Sequence, residues 1–320
     1  MKLISIVVPV FNEEAVTPFY YKEMSKVMDG FEKDNPDISF ELIFVDDGSV
    51  DKTLSLIKEY AEKDSRIRYI SFSRNFGKES ALYAGFENAK GDYVACMDVD
   101  LQDPPALLPE MYDAVTKEGY DSCATRRVTR KGEPPIRSFF ARRFYRLMDR
   151  ICTTEIVDGA RDYRIMTRQM TDAVLSMGDY NRFTKGIYGW VGFRTKWLEF
   201  ENIERVAGET KWSFWKLLLY ALDGIMAFST VPLEIIAWIG GILSFGFSVF
   251  TVVALVFLLT GRWEVLPLII GAVGLTGSIN LFATGIAAQY LSKTYLETKN
   301  RPLYVVKERS DETDNTDTLP

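Results

Sequence analysis

Two apolar runs near the C-terminal end govern what this 320-residue chain can fold into. Val231–Thr260 holds thirty residues with one charge, Glu234, and Val265–Ser292 holds twenty-eight with none. A membrane-spanning helix needs roughly 20 apolar residues, so each run is long enough. Neither alternates as a surface helix does. The link Gly261-Arg262-Trp263-Glu264 has room only for a hairpin turn. Lys211 and Lys216 precede the first run; Lys293, Lys299, Arg301 and Lys307 follow the second, and the turn offers Arg262 alone. The bias of basic residues toward the cytoplasmic side then predicts both termini, and the large N-terminal part, in the cytoplasm. Leu3–Val10 is a strand-length apolar run, too short for a cleavable signal. Gly240, Ser244 and Ser248 form a small-residue stripe that leaves room for a homo-oligomer.

Composition narrows the chemistry. The formal charge is −6, and the segment Glu308–Pro320, with five acids and one arginine, carries most of it. The rest is close to neutral, which argues against a nucleic-acid partner. There is no histidine, which excludes Ser-His-Asp and Cys-His catalysis, HExxH zinc sites and any histidine base. Cys96, Cys123 and Cys152 form no CxxC pair and read as buried reduced thiols. What remains is carboxylates, lysine and arginine, with a hard cation bound by oxygen.

The first half alternates β-rich runs with helix-length segments. Leu3–Val10, Phe40–Val45, Arg68–Phe72, Tyr93–Met97 and Asp121–Thr125 predict strands. Glu14–Met28, Lys52–Lys63, Lys78–Ala89 and a segment from Pro104-Pro105 to Lys117 predict helices. Such alternation predicts a mostly parallel α/β sheet with helices on both faces, its ligands bound beyond the carboxyl ends of the strands. Those ends are acidic: Asn12-Glu13-Glu14, Asp46-Asp47, and Asp98-Val99-Asp100 followed by Gln102-Asp103. Like charges gathered on one edge need a cation or hydrogen-bond donors to offset them. No GxGxxG or GxxxxGK[ST] pattern is present. A further segment, Arg137–Ile151, sets Phe140, Phe144, Leu147, Met148 and Ile151 on one helical face beside Arg142, Arg143, Arg146 and Arg150, a pattern suited to an anionic interface. Lys211-Trp212-Ser213-Phe214-Trp215-Lys216 is a second interfacial candidate.

The ordered set VVPVFNEE, FVDDGSVDKT, SFSRNFGKESAL, MDVDLQDPP, ATRR, DYRIM and GETKWSFWKL, followed by the two apolar runs, resembles the polyisoprenyl-phosphate glycosyltransferases of glycosyltransferase family two, above all its bactoprenol glucosyltransferase branch. The resemblance covers Ser5 to about Leu303. It implies a GT-A fold over residues 1–210, an interfacial helix over 211–230, two membrane helices within 231–292, and a cytoplasmic segment 293–320 ending in a disordered acidic tail. It further implies a bacterial plasma-membrane enzyme that moves a hexose, glucose from UDP-glucose in the first instance, to a polyprenyl phosphate. A flippase and a second glycosyltransferase would act downstream. By the same likeness Pro9, Asn12, Glu14, Asp46, Asp47, Lys78 and Asp98 would bind the donor, and Asp98, Asp100 and Gln102 would hold Mg²⁺ or Mn²⁺. Asp162 matches the family's candidate catalytic base, with Asp158 a competitor; Arg127, Arg164 and Lys211 would meet the acceptor phosphate, and Arg126 is a further candidate. Two other readings stand beside this one. A processive polysaccharide synthase would carry a Q-x-x-R-W motif, which the chain lacks, and a non-catalytic membrane scaffold would not need the intact Asp98/Asp100 pair.

Overall fold

The computed structural model describes residues 1–128, 157, 159–200, 231–260 and 266–311. The chain divides into two compact units, Met1–Ala221 with Pro302–Pro320, and Leu222–Arg301.

The first unit is built on an eight-stranded sheet. Its strands are β1 (Lys2–Val10), β2 (Ile38–Asp46), β3 (Ile67–Phe72), β4 (Tyr93–Cys96), β5 (Ser122–Arg127), β6 (Ala160–Thr167), β7 (Thr195–Phe200) and β8 (Val306–Arg309). They lie in the order β7-β5-β6-β4-β1-β2-β3-β8. Between them run α1 (Thr17–Asp34), α2 (Thr53–Lys63), α3 (Lys78–Asn88), a 3-10 turn at Pro105–Leu107, α4 (Leu108–Thr116), α5 (Arg168–Ser176) and α6 (Thr184–Trp190). The strands expected from sequence all form, each within a few residues of its expected ends.

Residues 4, 6, 8 and 10 of β1 point to one face, as the two-residue period of a strand requires. There Ile4, Ile6, Val8 and Val10 join Tyr20, Met24 and Met28 of α1, Ile57 of α2, and Met111 of α4 in the main core. The opposite face belongs to α3, where Gly85 lies so close to β1 that an added Cβ would stand 2.1 Å from Val7 Cγ1. That contact explains a glycine in the middle of a helix, where its backbone freedom is otherwise a cost.

The sheet is mixed, and this refines the mostly parallel expectation. β1 pairs in parallel with β2 and β4, and β2 with β3. β6, however, runs antiparallel between β4 and β5. Its sequence, Ala-Arg-Asp-Tyr-Arg-Ile-Met-Thr, puts three charged residues into the strand, so no alternating apolar pattern marks it. The C-terminal segment also departs from expectation. Val306–Arg309, which overlaps the start of the expected acidic tail Glu308–Pro320, pairs antiparallel with β3. Lys58 meets Glu308 at 2.6 Å, Arg68 meets Asp311 at 2.5 Å, and Tyr304 stacks on Phe72 at 4.9 Å. This strand covers an otherwise open sheet edge. Residues 312–320 lie outside the described residues.

The second unit holds α7 (Val231–Leu259) and α8 (Leu266–Thr298), the latter continuing past the apolar run that announced it. Among the described residues no helix is long and apolar enough to cross a membrane. Many side chains inside both helices lie outside the description; the sequence of α7 as a whole carries one charge in 29 residues. The segment 137–151, Lys211 with its tryptophan-rich stretch, Cys152 and Asp158 fall outside the described residues.

Candidate active site

The carboxyl ends of β1, β2 and β4 lie side by side, because β1 sits between the other two in parallel register, Val10 opposite Asp46 and Val7 opposite Cys96. Helices leave in different directions here, and a crevice opens at such a point.

The loops after β1 and β2 are tied to each other. Asn12 adopts φ 53°; its N–H donates to Ser49 Oγ at 2.9 Å and its Oδ1 accepts from Val50 N at 2.8 Å. Glu14 Oε2 accepts from Lys52 N at 2.9 Å. Asp46 is 1% exposed, with its oxygens accepting from Ser49 N at 3.1 Å and Ser71 Oγ at 2.8 Å. Gly48, at φ 72°, stands where a Cβ would come within 2.6 Å of the Arg74 backbone, so the loop after β2 can be closed only by glycine. Pro9, the remaining donor candidate, lies in β1 opposite Val45.

Asp47 faces the loop after β3, accepting from Phe76 N at 2.6 Å and Gly77 N at 2.9 Å. Burial pushes its carboxyl up to about 6, against the pull of those two N–H groups. The loop so held delivers Lys78 at the start of α3. Its ammonium meets Asp98 Oδ1 at 2.5 Å and pairs with Asp162 Oδ2. Thus β4 and β6 bring Asp98 and Asp162 onto one lysine.

Asp162 is held from two sides, since Lys185 Nζ of α6 stands 3.5 Å from its Oδ1. Burial raises its pKa, but the opposing charges of Lys185 and then Lys78 outweigh it and hold the carboxyl far below the usual range. Lys78 is the mirror image: burial disfavours its charge, and Asp162 and Asp98 more than restore it. Glu79, beside Lys78, accepts from Thr184 N at 3.0 Å and from Thr184 Oγ1, which fixes α6 against α3.

Asp100 is 4% exposed and accepts from Gln102 N at 3.1 Å, across Leu101 at φ 56°. Asp103 is fully buried; its Oδ1 accepts from Arg161 Nε at 2.9 Å while its Oδ2 has no partner. Asp98 and Asp100 both bear electrostatically on Asp103 and Arg161, so these acids share one corner. No group of three or more His, Cys, Asp or Glu side chains that could hold a metal ion occurs among the described residues. A magnesium ion bound with substrate phosphates needs only one or two carboxylates, its other ligands being phosphate and water oxygens. The hard-oxygen pair Asp98/Asp100 fits such a cation, and Asp98 already faces the Lys78 ammonium.

Arg127 of β5 and Arg164 of β6 belong to adjacent strands, and Arg164 lies near Asp162 in charge interaction. It is 3% exposed, with Tyr188 stacked at 3.6 Å. Arg126 pairs with Glu199 at the surface. Cys96 and Cys123 are buried thiols, each pushed up to about 12 by burial, as expected of unreactive cysteines. Sequence reasoning missed Lys185, Arg161, Tyr188 and Glu79. None sits just after a predicted strand except through β6, which was itself not foreseen; the string Phe183-Thr184-Lys185-Gly186 carries no pattern that would mark a site.

Comparison with known proteins shows the family. A family model described as glycosyl transferase family 2 matches residues 5–175. A prophage bactoprenol glucosyl transferase homolog of Escherichia coli K12 is 37% identical over 316 residues, covering 95% of this chain and 98% of that protein. A bactoprenol glucosyl transferase of Shigella phage SfX is 36% identical, covering 96% and 99%. Among solved structures, glucosyl-3-phosphoglycerate synthase from Mycobacterium tuberculosis matches with a TM-score of 0.46 at 21% identity, over 70% of this chain and 78% of that one.

Proposed function

The chain belongs to glycosyl transferase family 2 and is a glycosyltransferase, and from that premise we propose that it transfers a hexose, glucose in the first instance, from a UDP-sugar to a polyprenyl phosphate at the cytoplasmic face of a bacterial membrane. The acceptor is suggested by the bactoprenol glucosyl transferases it resembles along almost their whole length. The observation that carries the reading is the convergence of Asp98 and Asp162 on Lys78 beyond the carboxyl end of β4.

In this reading Asn12, Glu14, Asp46 and Asp47 shape the loops that receive the nucleotide, and Lys78 lies ready for the diphosphate. Asp98 and Asp100, with Gln102 beside them, would hold Mg²⁺ or Mn²⁺, which offsets charge on a departing diphosphate. A lipid monophosphate is largely dianionic at neutral pH, its second pKa being near 6. One of its oxygens attacks the anomeric carbon as the bond from that carbon to the diphosphate breaks. The nucleoside diphosphate leaves with the electron pair and the sugar inverts. No proton has to move, and no protein nucleophile is required. Asp162, kept ionised between two lysines, orients those ammonium groups and does not act as a base.

Membrane residence rests on sequence and surface together. Trp238, Ile242 and Phe245 of α7, and Leu281 and Phe282 of α8, are each at least two-thirds exposed. So much large apolar surface calls for a neighbour other than water. The basic flanks put both ends of the hairpin on the cytoplasmic side.

The direct test incubates the purified full-length protein with undecaprenyl phosphate and each labelled nucleotide sugar, with and without a chelator. Labelled lipid from UDP-glucose, lost on chelation and restored by Mg²⁺ or Mn²⁺, is expected. Labelled lipid from none of the sugars would overturn the reading, and transfer that survives complete metal removal would overturn the role given to Asp98 and Asp100.

A further inference from the structure

The loop after β4 carries Asp98, Asp100 and Gln102, and it ends in Asp103-Pro104-Pro105. Val99 and Leu101 seat its near half, since both join Tyr163 in the main core. At the far end Pro104 and Pro105 carry no N–H, so the backbone there offers no donor to fasten it. Two side chains of β6 do so instead. Arg161 Nε donates to Asp103 Oδ1 at 2.9 Å, and the Tyr163 hydroxyl donates to Pro105 O at 3.3 Å. The residue between them, Asp162, takes Lys78 and Lys185, and the next, Arg164, stacks on Tyr188. One set of β6 residues thus holds the loop, and another holds the ammonium pair.

The pairing of β6 with β5 is irregular at this point. Ala124 stands opposite Arg164 and Arg126 opposite Ala160, which leaves Arg161, Asp162 and Tyr163 against Thr125 alone. Bulges of this kind re-aim side chains and are over-represented beside active sites.

The Asp103–Arg161 pair is a poor device for stability. Asp103 is fully buried, and neither its Oδ2 nor Arg161 Nη2 has a partner. A guanidinium can meet a carboxylate through two parallel bonds, and a buried pair that leaves a donor and an acceptor unmatched is costly. An apolar pair of similar volume is often as stable or more so. What the ion pair supplies is direction, because it fixes where Asp103 stands. The chain just before it is stiff enough to pass that placement on: Asp100 Oδ1 accepts from Gln102 N at 3.1 Å, and Leu101 turns between them at φ 56°. Arg161 also lies in the field of both Asp98 and Asp100.

We propose that Arg161 is a positioning residue for metal binding: with Tyr163 it fastens the loop 98–103 to β6, so that Asp98 and Asp100 keep a fixed place relative to Asp162. The inference rests on the reading that Asp98 and Asp100 hold Mg²⁺ or Mn²⁺, and it adds the residues that hold those two in place. Arg161 acts through Asp103 and touches neither metal nor substrate.

The test measures Mn²⁺ binding to the full-length protein in detergent with UDP present, read from the electron paramagnetic resonance of free Mn²⁺. Thermal melts, and UDP binding in chelator, are measured on the same preparations. The proteins compared are wild type, Arg161→Met, the double variant Asp103→Leu with Arg161→Met, Tyr163→Phe, and a surface control, Lys196→Met. The double variant removes both charges and should melt close to wild type. It should bind Mn²⁺ about 10- to 100-fold more weakly, with UDP binding in chelator unchanged. Arg161→Met alone should show the same loss of Mn²⁺ affinity and a lower melting temperature, because Asp103 is left buried without its cation. Tyr163→Phe should weaken Mn²⁺ several-fold, and Lys196→Met should leave it unchanged. In assays of transfer, the double variant should need at least about 10-fold more Mn²⁺ for half-maximal rate. Wild-type Mn²⁺ affinity in the double variant overturns the proposal. If that variant does not fold, wild-type affinity in Tyr163→Phe overturns it. UDP binding in chelator that falls in step with Mn²⁺ affinity shows a collapsed site, and the positioning role falls. Wild type that binds no Mn²⁺ beside UDP removes the inference together with the metal assignment. Transfer by the double variant with the wild-type Mn²⁺ requirement sinks this inference alone. The expected order of Mn²⁺ affinities, without transfer to any polyprenyl phosphate, sinks the proposed function alone.

Discussion

A carboxylate clasped by two ammonium groups holds no proton at neutral pH, and Asp162 is clasped by Lys78 and Lys185. Asn in its place keeps the shape but releases both lysines from their counter-ion. Asp162→Asn should therefore lower turnover by about 100-fold or more, in the range that misplaced reacting groups produce, while donor affinity changes by only a few-fold. Turnover and nucleotide binding measured on one preparation decide this, and unchanged turnover would remove the residue from the mechanism. Asp47 behaves in the opposite sense. Its carboxyl titrates near 6 when folded against about 3.9 when unfolded. Between those values the folded protein binds the extra proton, so stability falls as pH rises from about 4 to 6 and then levels off. The two-unit gap limits the effect to roughly 3 kcal/mol. Asp47→Asn retains an oxygen for Phe76 N and Gly77 N and cannot ionise. Thermal melts at pH 5 and 7.5 should show wild type losing stability across that interval, with a smaller loss in the variant. Equal losses in both would show that Asp47 does not titrate there.

At the scale of elements, the sequence made the acidic ends of β1, β2 and β4 legible because parallel strands announce themselves. Apolar runs of strand length end in acids, and those ends meet on one edge by topology alone. Asp98 could be found that way, and resemblance added Lys78. The strand β6 was hidden because it carries Arg161, Asp162 and Arg164, and a strand with that composition shows no period of two. Resemblance pointed to Asp162; no local pattern gave Lys185 or Tyr188. The C-terminal strand was hidden for another reason. Four residues, Val306–Arg309, within a charged tail look disordered, and only their long-range partners on β3 and α2 make them a strand. Tyr304, two residues before that strand, also reaches the site at one remove. Tyr304 stacks on Phe72, Phe72 meets Phe76 edge-on at 5.8 Å, and the Phe76 N–H is held by Asp47 one residue before Gly77 and Lys78. The Tyr304 hydroxyl donates to Glu87 of α3. Tyr304→Ala should cost about 1–2 kcal/mol of stability from the lost ring contact and weaken nucleotide binding several-fold. Tyr304→Phe should restore most of the binding, since it keeps the stack. Nucleotide affinity unchanged in Tyr304→Ala would show that the strand braces the sheet edge without reaching the loop.

For the molecule as a whole, the pairing of β8 with β3 constrains any arrangement in a bilayer. The chain leaves the first unit after Ala221 and re-enters it at Pro302. Both flanks of the hairpin therefore belong to one folded body, and a segment that leaves a body on one side of a membrane and returns to it crosses an even number of times. Under the proposed membrane hairpin, helices of 29 and 33 residues, about 43 and 50 Å long at 1.5 Å per residue, would supply two such crossings. In that proposal the charge bias sets the side: Lys293, Lys299, Arg301 and Lys307 follow the hairpin, and Arg262 alone stands in the link between the two apolar runs. Thiol labelling in cells reads the outcome directly. With Cys152 replaced by serine, and with Cys96 and Cys123 buried, a cysteine introduced by Arg262→Cys should react with a membrane-impermeant maleimide on intact spheroplasts. One introduced by Lys307→Cys, at an exposed position of β8, should react only after lysis. Labelling of both positions from the same side would mean that the hairpin does not cross. The reversed pattern would put the carboxylate edge on the outer face, away from cytoplasmic nucleotide sugars, and the reaction assigned to it could not run there.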